Sequence, residues 1–453
     1  MRRCLEACLV VALAGWLGAV SLLPAQEKSP GDWPVFRGDS LQTGVAVSPL
    51  PDALAVLWTF NAPDGIEGTP AIVGQTVYVG AMDGTLYALD LASGKKQWQY
   101  RAEGGIKAAP AVRAGAVYVG DLAGQFHCVE AATGKKRWSV PTKGPILSPA
   151  NFFQDKIVFG SDDHHIYWVT PAGKVAGQVK TGGQVHGAPA VVGDRILVGG
   201  CDKSLHVVDP IAGKRVTVLD LEGHVGASVA VRGDHLYVGS MENRFLAVDW
   251  KKGAILWSYQ PQRGAQPFYA SAAVTEDLVV VASRDRCVRA LQRQTGKEIW
   301  TFATRGRVDS SPVIVGQRVV AASLDGHLYV LDLTRGTELA RFDLGAMAGS
   351  PAVGGGRLVV GTVRGDLVCL GAKRWRVAGG GWRVAGEGTE SASSPATRHP
   401  SPATRHERIF FRADWADLHG SGWRLKASRA GMADWAAGPR LPRASAADLR
   451  TSY

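Results

Sequence analysis

The amino-acid sequence predicts an all-β protein, an eight-bladed β-propeller of four-stranded antiparallel blades with an N-terminal strand closing the last blade. Three observations lead there. A nine-residue phrase recurs at intervals of about 40 residues. Each interval carries four short strand patterns. The aromatic position of the fourth strand occurs once ahead of the first complete interval and is missing from the last.

The phrase reads Asp-x-x-x-Gly-Lys-x-x-Trp at Asp90–Trp98 and recurs, with Glu or Gln first, at Glu130–Trp138 and Gln292–Trp300. Asp249–Trp257 keeps the Gly and the Trp, and degenerate copies start at Asp209 and Asp332. The phrase glycines are Gly94, Gly134, Gly173, Gly213, Gly253, Gly296 and Gly336, spaced by 40, 39, 40, 40, 43 and 40 residues. So regular a period marks a repeat architecture and overrides the two or three domains that 453 residues would otherwise suggest. The 56 glycines against 5 methionines suit short strands and tight turns.

Residues 68–99 show the content of one period. Thr69–Val73 is an apolar first strand and Thr76–Gly80 a second. Asp83-Gly84 is a two-residue hairpin turn, leading to a third strand, Thr85–Asp90. Gly94 closes the next turn before a fourth strand from Lys96 to Tyr100. Period-two alternation and β-branched residues fit strands, and four antiparallel strands per period make a propeller blade. First strands begin near Pro70, Pro110, Pro149, Pro189, Val229, Ala272, Pro312 and Pro351, which makes eight blades. Trp58 lies one period ahead of Trp98, while the eighth blade stops at Leu370 without a fourth strand. The strand around Trp58 is therefore expected to complete blade eight and remove its unpaired edge. Trp58, Trp98, Trp138, Trp257 and Trp300 are read as rings docking each blade on the next. Gly177, Thr217 and Ala340 hold the equivalent places in the other three blades.

With its period of forty, the Gly-Lys-x-x-Trp phrase resembles the pyrroloquinoline-quinone (PQQ)-type propeller repeats, over about residues 58–370. Such repeats occur in quinoprotein alcohol dehydrogenases and in the BamB-type subunit of the outer-membrane protein assembly machinery. Trp33-Pro34-Val35-Phe36-Arg37-Gly38 resembles the lead-in segment of exported PQQ-like propellers. The resemblance is specific for fold and poor for function, because propellers host unrelated activities. It implies either a BamB-like scaffold with a protein partner in the cell envelope or a PQQ-dependent alcohol or sugar dehydrogenase. The dehydrogenases carry an adjacent Cys-Cys pair and long insertions between blades, and this sequence has neither. A non-catalytic scaffold without cofactor is thus the leading expectation, with PQQ and calcium required only under the alternative.

The ends read differently from the repeats. Residues 1–25 have a positive start, Arg2-Arg3, then the apolar stretch Leu9–Leu23 and a small residue, Ala25, before Gln26. This is the pattern of a signal peptide, with no lipid-attachment cysteine, so a periplasmic or secreted protein without a membrane span is expected. Residues 26–57 form the lead-in. In the tail, 371–453, Trp375–Gly379 recurs as Trp382–Gly386 and Ser394–His399 recurs as Ser401–His406. Such repeats of Arg, Ala, Gly, Ser and Pro bury no core, and disorder is expected. Of the net charge of +11, +7 lies in this tail and +1 in the first 25 residues, leaving +3 for 26–370. The folded part is near neutral, which removes the electrostatic basis for nucleic-acid binding. A monomer is expected. Cys128, Cys201, Cys287 and Cys369 match no zinc spacing and no metal site is read; their pairing stays open.

Ligands of propellers sit at the funnel mouth, among the links that precede each first strand. There the sequence places Glu67, Lys107, His186, Tyr269 and Asp309, with Gly, Ala and Ser beside them. Repeat symmetry puts these five at equal radius, so they are expected to line one polar pocket, with His186 titrating near neutrality. Six of the eight hairpin turns begin with an acid, such as Asp83, Asp163 and Asp325. They form either an acidic crown or ordinary turn chemistry.

Overall fold

A computed structural model describes residues 31–384, apart from 263, 265, 373 and 377–381. The expected signal peptide and most of the expected tail lie outside the described residues. Every regular element is a β-strand, and no helix is long and apolar enough to cross a membrane among the described residues.

Eight blades of four antiparallel strands follow one another along the chain, and the seventh gains a fifth strand, Val45–Ala46, paired in parallel with Ile314 and Val315. Blade one consists of Ala71–Val73, Thr76–Gly80, Thr85–Asp90 and Lys96–Arg101. Six more blades repeat this order up to Glu338–Asp343. Blade eight takes Ala352–Gly354, Arg357–Gly361 and Asp366–Ala372 from the C-terminal side and Leu54–Asn61 from the N-terminal side. Leu54 pairs with Ala372 and Asn61 with Asp366, so the expected ring closure is present. In the expected tail, Arg374–Arg376 pairs with Trp382–Val384 as a small hairpin.

Local chemistry explains the repetition. All eight second-to-third-strand turns hold their second residue at positive φ, from 64° at Lys203 to 94° at Gly365. Gly and Asn tolerate that region best, which is why they dominate these turns. The register between third and fourth strands slips once in every blade, next to the Trp position, as at Ala88/Leu89 opposite Lys96 and Trp98. Such a bulge re-aims a side chain. Here it swings the indole onto the next blade. Trp58 Nε1 donates to Leu91 O at 3.0 Å, Trp98 to Ala131 O at 2.9 Å, Trp138 to Pro171 O at 2.8 Å and Trp300 to Leu333 O at 2.9 Å. Trp257 reaches Arg293 O at 2.9 Å. Each ring lies against the next blade's phrase glycine, so that glycine must lack a side chain. Between the blades, apolar clusters such as Val280, Ala290, Trp300, Ile314 and Leu331 form the core.

The lead-in is an internal belt. Trp33 exchanges two backbone hydrogen bonds with Ile72 of blade one. Pro34 O accepts from Val112, Ser40 O from Val191, Leu41 O from Val231, Thr43 O from Val274 and Gly44 O from Ile314. Asn151 of blade three reaches Ser40 O through its side chain, and Gly31 O accepts from Gly355 of blade eight. The belt thus bonds to the innermost strand region of all eight blades. It satisfies edges that would otherwise point unpaired into the channel.

Candidate functional site

The links preceding the first strands converge on a cavity of about 330 Å³. Glu67, Lys107, His186, Tyr269 and Asp309 all line it. Repeat symmetry brings them together because each sits at the same phase of its blade. Phe36 of the belt also lines the cavity, and its contribution was invisible to a reading based on the repeats.

The charged groups are paired rather than open. Lys107 Nζ lies 3.0 Å from Glu67 Oε2, a bridge between the links of blades one and two. Asp309 accepts two hydrogen bonds from Arg284, from Nε at 2.8 Å and Nη2 at 3.0 Å. Such a fork geometry fixes both planes. The same guanidinium stacks on Tyr269, 3.6 Å from the ring centre, and Arg307 Nε adds a second cation 3.6 Å from Asp309. Arg284 and Arg307 were missed by sequence reasoning, Arg284 because it stands in a turn and not in a link.

His186 differs from the expectation. Its Nε2 lies 3.0 Å from Asp162 Oδ1, and its Nδ1 lies 3.8 Å from Cys201 Sγ. The Asp162 carboxylate, then the Cys201 sulfur, push its pKa up to about 10 against the opposing effect of burial. The charged form is thereby favoured at the pH where an ordinary imidazole would titrate.

The cavity wall also carries a seam of hydroxyls. Ala188 N donates to Ser228 Oγ, Ser228 N to Ser271 Oγ, Ser271 N to Ser311 Oγ and Ser311 N to Ser350 Oγ, at 2.7 to 3.0 Å. Each hydroxyl accepts from the blade before it and keeps its own proton for a further acceptor. The signal was the small residue just ahead of each first strand.

The hairpin-turn acids serve the turns. Asp83 Oδ1 accepts from Thr85 N at 2.8 Å and Asp325 Oδ1 from His327 N at 2.9 Å. Asp163 accepts from Tyr167 Oη at 2.6 Å and from Lys143 N at 3.0 Å. Burial alone would raise its pKa, but these hydrogen bonds outweigh it and hold the carboxyl below its usual range. Among the described residues, Glu103, Asp121 and His127 have ligand atoms within 4.8 Å of one another. Asp121 already accepts from Gln125 N, Gly104 N and His127, so this group too is turn chemistry.

Fold and site together define a PQQ-type eight-bladed propeller with a funnel that opens among the blade links and is floored by the lead-in. Comparison with known proteins is more specific. The sequence model of the family described as outer membrane protein assembly factor BamB matches residues 52–110, 102–169, 162–275, 263–339 and 324–446. The chain belongs to that family. It is 26% identical over 229 residues to the outer membrane protein assembly factor BamB of Burkholderia pseudomallei. That match covers 46% of this chain and 57% of the relative, so the chain spans less than two thirds of the relative's length. The crystal structure of BamB from Moraxella catarrhalis superposes with a TM-score of 0.61 at 20% identity, covering 72% of this chain and 100% of that one. Quinohemoprotein alcohol dehydrogenase from Comamonas testosteroni gives 0.65 at 15% identity, covering 78% and 82%. At these identities both structures speak for the fold alone.

Proposed function

We propose that the protein is an exported, non-catalytic BamB-like scaffold that binds a protein partner in the cell envelope through the funnel face. The observation that carries this reading is the pairing of the funnel's charges. Glu67 is held by Lys107, Asp309 by Arg284, and His186 by Asp162. A general base needs a carboxylate or imidazole able to take a proton, and these are engaged. Rigid, mutually neutralised charges over small residues suit recognition by a complementary surface. The family and the BamB relative support a partner in outer-membrane protein assembly and a periplasmic location.

A quinone cofactor with calcium fits this donor set poorly. Calcium takes six to eight oxygen ligands. The two link carboxylates face cations instead, and the four cysteines among the described residues lie in four different blades. Two experiments test the reading together. Affinity capture from an envelope fraction, with wild type and the Glu67→Ala/Asp309→Ala variant, should show one partner lost in the variant. Adding PQQ and calcium to the purified protein should give no dye-linked oxidation of alcohols or sugars. Tight PQQ binding with such oxidation would overturn the scaffold reading.

A further inference from the structure

Cys201, His186 and Asp162 come from three separate segments. Cys201 stands in the turn entering the third strand of blade four, His186 in the link before that blade, and Asp162 in the turn of blade three. The sulfur is 3.8 Å from His186 Nδ1, and His186 Nε2 is 3.0 Å from Asp162 Oδ1. A thiol, an imidazole and a carboxylate in series, one nitrogen of the ring facing each, is the arrangement that makes a sulfur nucleophilic. His186 also lines the funnel cavity, and Cys201 is only partly buried. The sulfur also reaches Val225 O, at 3.7 Å.

We infer that Cys201 is a nucleophile, activated by the His186–Asp162 pair, that takes up small disulfides beside the funnel cavity. Its thiolate form attacks one sulfur of the disulfide R–S–S–R. The Cys201 S–S bond forms as the old S–S bond breaks, and the leaving R–S⁻ takes the proton from His186 Nδ1. The Cys201 sulfur is oxidised and the small disulfide reduced, leaving a mixed disulfide and one R–SH. An exported protein meets such oxidants. Among the described residues no second cysteine is placed to resolve the adduct. Cys128, Cys287 and Cys369 stand on the third strands of blades two, six and eight, and none of the four is bridged. The adduct therefore persists until an external thiol removes it.

The raised His186 pKa agrees with its place between sulfur and carboxylate, and the other three thiols lack such a partner. Burial pushes Cys128 up to about 11 and Cys369 to about 12, and it raises Cys287. They act as internal controls within one molecule.

The test uses the purified protein, iodoacetamide and oxidised glutathione, with peptide mapping by mass spectrometry. Cys201 should be alkylated first and should form the glutathione adduct. A free thiol of ordinary pKa loses roughly 100-fold in rate between pH 8.5 and 6. Cys201 should lose less than about tenfold. His186→Gln and Asp162→Asn should each restore the steep profile, and Cys201→Ser should abolish labelling. Far-ultraviolet circular dichroism checks that the variants fold. Should one variant not fold, the other variant and the wild-type pH profile decide. The inference fails if Cys201 reacts no faster than Cys287 at pH 6.5, or if its wild-type rate falls with pH like an ordinary thiol. It does not depend on the scaffold reading, since labelling requires no partner.

Discussion

Replacing Gly336 by Ala tests the docking that repeats around the ring, and Gly213→Ala supplies its control. Both glycines close the same turn at nearly the same backbone angle, φ +69° and +66°. An L-residue there costs about 1–2 kcal/mol in either case. Their surroundings differ. A Cβ on Gly336 would stand 2.4 Å from Trp300 Cδ2 and 2.5 Å from Cε3, whereas one on Gly213 meets nothing within 4 Å. The difference arises in the preceding blade, which presents Trp300 in one case and Gly177 in the other. Trp300 is 8% exposed and bonds to Leu333 O, so it has little room to retreat. Pushing the indole out forfeits part of the 3–5 kcal/mol typical of losing a buried aromatic, about 2–3 kcal/mol here. For roughly 340 folded residues, an unfolding entropy of about 0.7 kcal/mol/K converts these costs to about 2 °C for Gly213→Ala and about 5 °C for Gly336→Ala. Differential scanning calorimetry reads both. The combination Trp300→Ala/Gly336→Ala should cost less than the sum of its parts, because the first change removes what the second collides with. Equal melting points for the two single variants would refute the docking argument.

The remaining predictions concern the ends and the funnel. Deleting residues 26–60 removes the belt and the closing strand, and the product should aggregate in size-exclusion chromatography; a monomer with unchanged melting point would contradict closure through Leu54–Asn61. Ending the chain after Ala372 should move the melting point by less than about 1 °C, and a drop of several degrees would mean that the expected tail packs on the propeller. Glu67→Ala/Asp309→Ala should retain the fold by circular dichroism, because both side chains line the cavity and not the inter-blade core. The His186 pKa lies above its unfolded value of 6.5, so its contribution to stability is complete below pH 6.5 and is lost as pH rises through about 10. Asp162→Asn should therefore cost about 1–2 kcal/mol at pH 6, discounted for partial exposure, and much less at pH 10.5; a gap constant across that range would refute the pair.

The blades were legible because each obeys local rules that recur. The turn at Asp83-Gly84 needs a left-handed second residue, and the phrase glycine needs space for an indole. Both demands leave marks at fixed spacing. Closure was legible for the same reason, since Trp58 falls in phase with Trp98. The five cavity residues followed from symmetry alone. Their pairing did not. Arg284 reaches Asp309 from a turn 25 residues earlier, and Asp162 reaches His186 from the preceding blade. Those contacts depend on side-chain reach across the ring, and no period encodes it. The belt left no repeat signal, because each of its residues meets a different blade. Arg37 illustrates this: it is fully buried, donates to Ala272 O and Pro312 O, and is pushed down by burial to about 9.

One continuous N-terminal stretch performs two closures, and this has consequences for folding and for access. Leu54–Asn61 caps the outer edge of blade eight, and residues 31–48 cap the inner edges of all eight blades. Neither can be complete until the last blade exists, because Leu54 pairs with Ala372 and Gly31 with Gly355. A segment that precedes the blades in sequence therefore completes its docking only after the last of them has formed. Pairings of such sequence separation are slow to form, and the unsealed edges stay open to other chains meanwhile. In return the finished ring is locked cooperatively, since removing any blade strands part of the belt's hydrogen bonds. The same belt sets the direction of access. Phe36 lines the cavity from the belt side, while the links line it from the other. Under the proposed function, the partner meets the link side, where the ion pairs and the hydroxyl seam stand.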